Sequence, residues 1–269
     1  MTFSPGVQKD FLKTVVQKKL AQVARARQHS SLQSVRDRAL GAGPPRNFIR
    51  IFSSGFACIA EVKKRSPSRG LLSEDFDPRK IARQYEQGGA SAISVLTDGE
   101  FFGGGLEDLT KVKENVSLPV LRKDFIIDEY QIHEARAYGA DAILLISEIL
   151  SEGDVQGFVE LAGKLGMAAI VESHKAEGIE KAKSAGAQII GVNNRDLNNF
   201  TLDLETSFRM RPLIPDGVVA ISESGIKSSG DLQRLRDAGY RGALIGETLM
   251  LAENREQALR KLLEPLETG

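Results

Sequence analysis

Five stretches, GGASAIS (88–94), YGADAIL (138–144), LGMAAIV (165–171), AGAQIIG (185–191) and AGYRGALIG (238–246), share one grammar. Each ends a polar amphipathic segment at Gly, spends two or three residues turning, and opens a short apolar run. Gly just past a helix takes the left-handed backbone that terminates it. An apolar run carrying β-branched residues reads as a strand buried on both faces. Working outward from this helix–turn–strand unit finds eight candidate strands, at 56–63, 91–97, 118–123, 141–147, 168–173, 188–193, 217–223 and 242–246. The segments between them mostly have the length of one helix and two loops, so the sheet is parallel. Eight such units in about 215 residues predict an α/β fold, a closed (β/α)8 TIM barrel. An open doubly wound sheet competes, but no G-x-G-x-x-G follows the first strand.

The 269-residue chain is read as a single barrel domain, 1–269, in which residues 1–50 form a helical N-terminal extension. Leu12, Val15, Val16, Leu20 and Val23 recur at helical spacing and draw one apolar face from about Lys9 to Arg27. A shorter helix is expected near Leu32–Leu40, and GAGPPRN (41–47) then breaks helical order. Across the chain 36 Lys+Arg balance 36 Asp+Glu, but the first 50 residues hold ten basic residues and only Asp10 and Asp37, giving +8. The remainder, 26 basic against 34 acidic, gives −8. The extension is therefore expected to lie on an acidic body or near an anionic ligand, and its charge could draw an anionic substrate inward. Nucleic acid is disfavoured, because no aromatic residues interleave with the cations. The single Cys58 excludes a disulfide framework. No apolar run reaches the ~18 residues of a membrane span, and no secretory segment opens the chain, so a cytoplasmic location is expected.

In such a barrel the site lies at the C-terminal strand ends. Those ends carry Glu61 and Lys63 (strand 1), Lys123 (3), Glu172 (5), Asn193 and Arg195 (6), and Glu223 and Ser224 (7). Uncompensated charge is expensive inside a protein, so partners or a ligand are implied. Glu61 and Lys63 share one strand face and read either as a structural ion pair or as an acid–base pair at the mouth. Lys123 is expected to point inward and Arg122 outward. Nearby cations would lower the Lys123 pKa and make it a proton donor; a resting salt bridge to Glu172 or Glu61 is compatible with that. Glu172 is either a base or a counter-ion. His174 has the same parity, but two ligands without a third make a poor metal site. Arg195 can grip an anion with its planar fork, while Asn194 and Asp196 suit a turn. ESGI (223–226) and IGETL (245–249) follow strands 7 and 8, the usual phosphate position of this fold. RSPSRG (65–70), with Ser66, Ser68 and Arg69, is a third contributor. The residues thus describe a barrel enzyme for a small, phosphorylated, doubly anionic substrate, without choosing among isomerisation, aldol-type, decarboxylation or dehydration chemistry.

IAEVKKRSPSRG (59–70), VLTDGEFFGG (95–104), LRKDFIID (121–128), IIGVNNRDL (189–197), SESGI (222–226) and LIGETLM (244–250) together resemble the indole-3-glycerol phosphate synthase family. The resemblance implies a carbon–carbon lyase of tryptophan biosynthesis that uses neither metal nor organic cofactor. It implies a monomer and leaves room for a partner enzyme of the same pathway. By motif, Lys123 would be the general acid and Glu172 the general base. Lys63 would hold the anthranilate carboxylate or act in dehydration, with Glu61 supporting it. Asn193 and Glu223 would orient sugar hydroxyls and the lysines. Ser66, Ser224, Gly225, Gly246 and Glu247 would cradle phosphate, Glu247 through its backbone N–H alone, and Arg195 would line the site. Phe101, Phe125, Leu144, Leu197 and Leu244 would form the aromatic slot, although the same residues also suit plain packing. Ser173 replaces a more apolar residue of the commoner pattern and should face away from the site.

Overall fold

The computed structural model describes residues 11–267. Lys9 and Asp10, at the start of the expected first helix, lie outside them. Eight parallel strands close a barrel: β1 (Ala57–Val62), β2 (Ala92–Leu96), β3 (Val120–Lys123), β4 (Ala142–Ile146), β5 (Ala168–Ser173), β6 (Ile189–Asn193), β7 (Val219–Glu223) and β8 (Gly242–Ile245). Each strand pairs with its sequence neighbours, and β1 closes the ring against β8, with Ile59 beside Leu244. The predicted TIM barrel is present, with helices before it.

The repeated grammar works as chain punctuation. Gly89, Gly139, Gly166, Gly186 and Gly239 all have φ between 69° and 94°. An alanine at any of them would meet the Cβ–carbonyl clash of the left-handed region, about 1–2 kcal/mol per residue. Helix starts are as explicit. Ser151 and Asp154 form a reciprocal capping box at α6 (Glu152–Lys164), and Ser228 and Asp231 form another at α9 (Ser229–Asp237).

Strand parity divides the interior into two cores. Cys58, Ala60 and Val62 face outward to the helices, whereas Ala57 and Ile59 face the barrel axis. Leu121, Leu144, Ile170, Ile221 and Leu244 fill that axis, as expected of layered side chains in a barrel that is a core and not a pore. Phe48 and Phe52, at a T-shaped ring contact of 6.3 Å, belong to the same inner core.

The extension wraps the barrel. Helix α1 (Phe11–His29) carries Phe11, Leu12 and Val15 into the inner core. Helix α2 (Leu32–Gly41) packs along α5 (Glu129–Ala137). The segment after it is pinned by Arg46, whose backbone N–H donates to Asp141 Oδ1 at 2.6 Å and whose guanidinium donates to Leu118 O and Lys113 O. Asp141 is fully buried and also binds Lys113 and the Val120 N–H. The basic extension lies on acidic partners: Arg27 on Asp128, Arg36 on Glu129, Lys18 on Glu100, and Lys19 between Asp98 and Asp124.

Candidate active site

At the C-terminal rim a pocket of about 1020 Å3, counted to its open mouth, is lined from every part of the barrel. Its centre is charged. Lys123 Nζ lies 2.8 Å from Glu223 Oε2, 3.3 Å from Glu61 Oε2 and 3.9 Å from Glu172 Oε2. Lys63 Nζ lies 2.5 Å from Glu61 Oε1. Asn193 Nδ2 donates to Glu172 Oε1 at 3.0 Å, and Asn193 Oδ1 accepts the Arg195 N–H at 2.9 Å.

Space for these carboxylates comes from missing side chains. A Cβ on Gly191 would collide with Glu223 Oε1, and one on Gly246 would collide with Glu61 Oε1. Two non-glycine residues near the pocket hold left-handed backbone, Phe200 (φ 59°) and Ser224 (φ 68°). Such strain costs energy and gathers where loops are set for function.

Three buried carboxylates face two ammonium groups here. Burial by itself would lower Lys123, but Glu223, Glu61 and Glu172 outweigh it and hold the ammonium well above its ordinary range. The lowered pKa expected from neighbouring cations is therefore corrected: Arg122 points away, fully buried on Asp124 and Glu134 at 3.0 Å, and carboxylates surround the lysine. Burial would likewise raise Glu61, but Lys63 and Lys123 pull it down to about 2. Glu172 goes the other way. Burial, and then the adjacent Glu223, lift its carboxyl well above the usual range against the pull of Lys123. Glu172 Oε2 and Glu223 Oε1 are both buried without a hydrogen-bond partner. One proton on Glu172 relieves both the charge excess and the unpaired oxygens.

The other expected residues are distributed around this centre. Phe125, Leu144, Leu197 and Leu244 line an apolar wall. Phe101 does not: its ring packs at 5.1 Å on Phe11, beneath Lys18. Phe102 lines the pocket in its place. Ser66, Ser224, Gly225, Gly246 and Arg195 line the remaining side. Glu223 is wholly buried beneath Lys123 and accepts its hydrogen bond, which fits the expected contact with the lysine. Glu247 departs from expectation. Its carboxylate stands at the mouth, 3.0 Å from Arg69 Nε and 3.4 Å from Arg195 Nη2. Ser173 turns away from the pocket, as expected, and donates to Glu148 at 2.6 Å. His174 sits between Glu148 at 3.1 Å and Asp196 at 3.4 Å. Among the described residues no group of three or more His, Cys, Asp or Glu could hold a metal ion.

Sequence reading missed Ile146, Phe200 and Lys227 on the lining. Ile146 shares the parity of Leu144 and could have been found on that ground. Phe200 arrives through a loop closed by the Arg195–Leu202 bridge and the Phe200 N–H to Asp196 O bond, 2.7 Å. No local signal specifies that closure.

A family model described as indole-3-glycerol phosphate synthase matches residues 12–262. The chain belongs to that family. A relative of that name from Desulfotalea psychrophila is 48% identical over 258 residues, covering 95% of this chain and 99% of its own. Another of the same name, from Carboxydothermus hydrogenoformans, is 49% identical over 206 residues, 76% of this chain and 78% of its own. A solved structure of thiamine phosphate pyrophosphorylase from Pyrococcus furiosus superimposes with a TM-score of 0.61 at 15% identity, over 79% of this chain and 96% of that one. That likeness bears on the barrel fold alone. The chain is a lyase of tryptophan biosynthesis that acts on a small phosphorylated substrate. No described helix is long and apolar enough to cross a membrane.

Proposed function

We propose that Lys123 is the general acid and Glu172 the general base of the family's ring closure. The substrate is 1-(o-carboxyphenylamino)-1-deoxyribulose 5-phosphate. The ring carbon bearing the carboxylate attacks the ketone, and Lys123 gives its proton to the ketone oxygen. Carbon dioxide then leaves and restores the aromatic ring. The new hydroxyl departs as water while a proton is removed, leaving indole-3-glycerol phosphate. The single observation that carries the assignment is the placement of Lys123 Nζ, within 3.9 Å of three buried carboxylates and open to the pocket.

Each group's environment suits its role. An ammonium held charged by three carboxylates is always loaded with its proton; substrate binding must then weaken that hold as the oxygen becomes basic. Glu172, with its pKa lifted, is a stronger base once ionised than an ordinary carboxylate. Lys63, held by Glu61, faces the same space and can engage the substrate carboxylate. Asn193 keeps Glu172 in register. Glu223 acts through Lys123 as a positioning residue. The wall formed by Phe125, Leu144, Leu197 and Leu244 packs on the aryl ring. Ser66, Ser224, Gly225, Gly246 and the Glu247 N–H hold the phosphate, with Arg195 beside them. The chain works as one barrel unit, 1–269, with residues 1–50 as its helical extension, in a cytoplasmic setting and as a monomer.

The test is turnover of the carboxyphenylamino-deoxyribulose phosphate by the purified chain, followed by indole fluorescence, with Lys123→Ala alongside. Turnover in the wild type that disappears in the variant is expected. Turnover that persists in the variant would remove Lys123 from the acid role.

A further inference from the structure

The carboxylate of Glu247 occupies the place where an incoming anion would find its cations. It takes Arg69 Nε on Oε1 and Arg195 Nη2 on Oε2, so each arginine binds a separate oxygen. Arg69 and Arg195 come from the loops after β1 and β6 and Glu247 opens the short helix after β8, so one carboxylate ties three segments across the mouth. Both arginines are anchored through their backbone N–H groups; at the tip Arg69 meets only Glu247, while Arg195 Nη1 also donates to Phe200 O at 3.4 Å. The Arg69 N–H donates to Ser66 Oγ at 3.2 Å, and the Arg195 N–H donates to Asn193 Oδ1 at 2.9 Å. The Arg69 side chain is 60% exposed and that of Glu247 25%. The Arg69 pair, on the open side, contributes little and exchanges readily; the Arg195 side chain is 19% exposed.

We propose that Glu247 is a resident surrogate anion: it holds Arg69 and Arg195 at the mouth in the free enzyme and yields them to the phosphate of the substrate. The inference rests on the reading of this end of the pocket as the phosphate end. A guanidinium matches carboxylate and phosphate with the same fork of donors, so exchange needs only a side-chain swing. A phosphate arriving while the carboxylate is ionised meets like charge as well as the arginines. Glu247 therefore lowers anion affinity and, by closing back on the arginines, helps the product phosphate leave. Arg69 becomes a second anion-gripping arginine beside Arg195. Glu247 acts through the arginines, so it is a positioning residue.

The experiment measures binding of inorganic phosphate by competition against turnover, and directly by calorimetry at low salt. Wild type, Glu247→Gln, Arg69→Gln and the double variant are compared. Glutamine keeps the size and one acceptor oxygen but removes the charge. The expected result is phosphate binding about five- to tenfold tighter in Glu247→Gln, with a lower KM for substrate. In the Arg69→Gln background the same substitution should give a clearly smaller gain, because the released cation is missing. A weaker or unchanged phosphate affinity in Glu247→Gln overturns the proposal and makes Glu247 a plain organiser of the arginines. A full gain that persists without Arg69 also overturns it, leaving only long-range repulsion. If the active wild type neither binds phosphate nor is inhibited by it, the phosphate-end reading itself fails. Matching melting temperatures across the four proteins separate these outcomes from misfolding.

Discussion

Lys123 and Asp124 are neighbours in sequence and belong to two different kinds of buried charge cluster. Around Asp124, Lys19 and Arg122 face Asp98, Asp124 and Glu134, two cations against three carboxylates, and all but Glu134 are at most 2% exposed. Thr97 adds a hydrogen bond at 2.6 Å to Asp124, and Glu134 joins Arg122 from the more exposed side. Burial would raise Asp124, but Arg122 and Lys19 hold it well below the carboxylate range. Around Lys123 the count is the same, two cations against three carboxylates, but here two buried carboxylate oxygens lack a hydrogen-bond partner. The first cluster has nothing left to offer a ligand. The second holds a proton in a place where another arrangement of charge would suit it better. A set whose carboxylates are all partnered locks the extension to the rim, whereas a set with unpaired carboxylate oxygens can take up or release a proton.

Substitutions can break this contrast, and the largest effect is expected from the Lys123 cluster. Lys123→Ala should lower kcat about 1,000-fold, within the range of a lost general acid, and should also lower the melting temperature, because three buried carboxylates lose their shared cation. Glu172→Gln should lower kcat about 100-fold while inorganic phosphate binds as before; equal losses in both measurements would assign Glu172 to structure. In the Asp124 cluster the order reverses. Lys19→Met leaves Asp98 and Asp124 buried and short of a partner, so a loss of about 3 kcal/mol in denaturant unfolding is expected, with kcat changed only a few-fold. A kcat collapse there would show that the two clusters work as one.

The smallest effect concerns pH and stability. Glu61, held at about 2 in the fold against 4.5 otherwise, and Asp124, also lowered, contribute stability that is present above their unfolded values. That contribution is lost as the pH falls from about 4.5 through 2. Glu172 is raised, so its contribution is present below its unfolded value and is lost as the pH rises through the folded one. Urea unfolding between pH 3 and 8 should therefore give a rise, then a shallow decline. Glu172→Gln should flatten the decline and leave the rise in place.

Much of this was legible in the chain itself. The left-handed glycines of the repeat, from Gly89 to Gly239, stand where the repeat puts them, because a helix end needs that backbone whatever surrounds it. The inward set Glu61, Lys123, Glu172, Asn193 and Glu223 followed from strand parity, which has a period of two and needs no tertiary knowledge. Phe101 and Phe102 show the limit. Both lie in the loop after β2, where no period applies, and packing on Phe11 from the extension decided which ring meets the pocket.

Composition and spacing by themselves determined the barrel, the end that bears the site, and the ionisable side chains that point into it, since those depend on local backbone preference and alternation. Only the tertiary structure decided which charges meet. Lys123 came out raised and not lowered because carboxylates from three other strands converge on it, across as many as 100 residues of chain. Glu247 turned to two arginines from distant loops for the same reason. Electrostatic energy depends on distance through space, and separation along the chain does not report it.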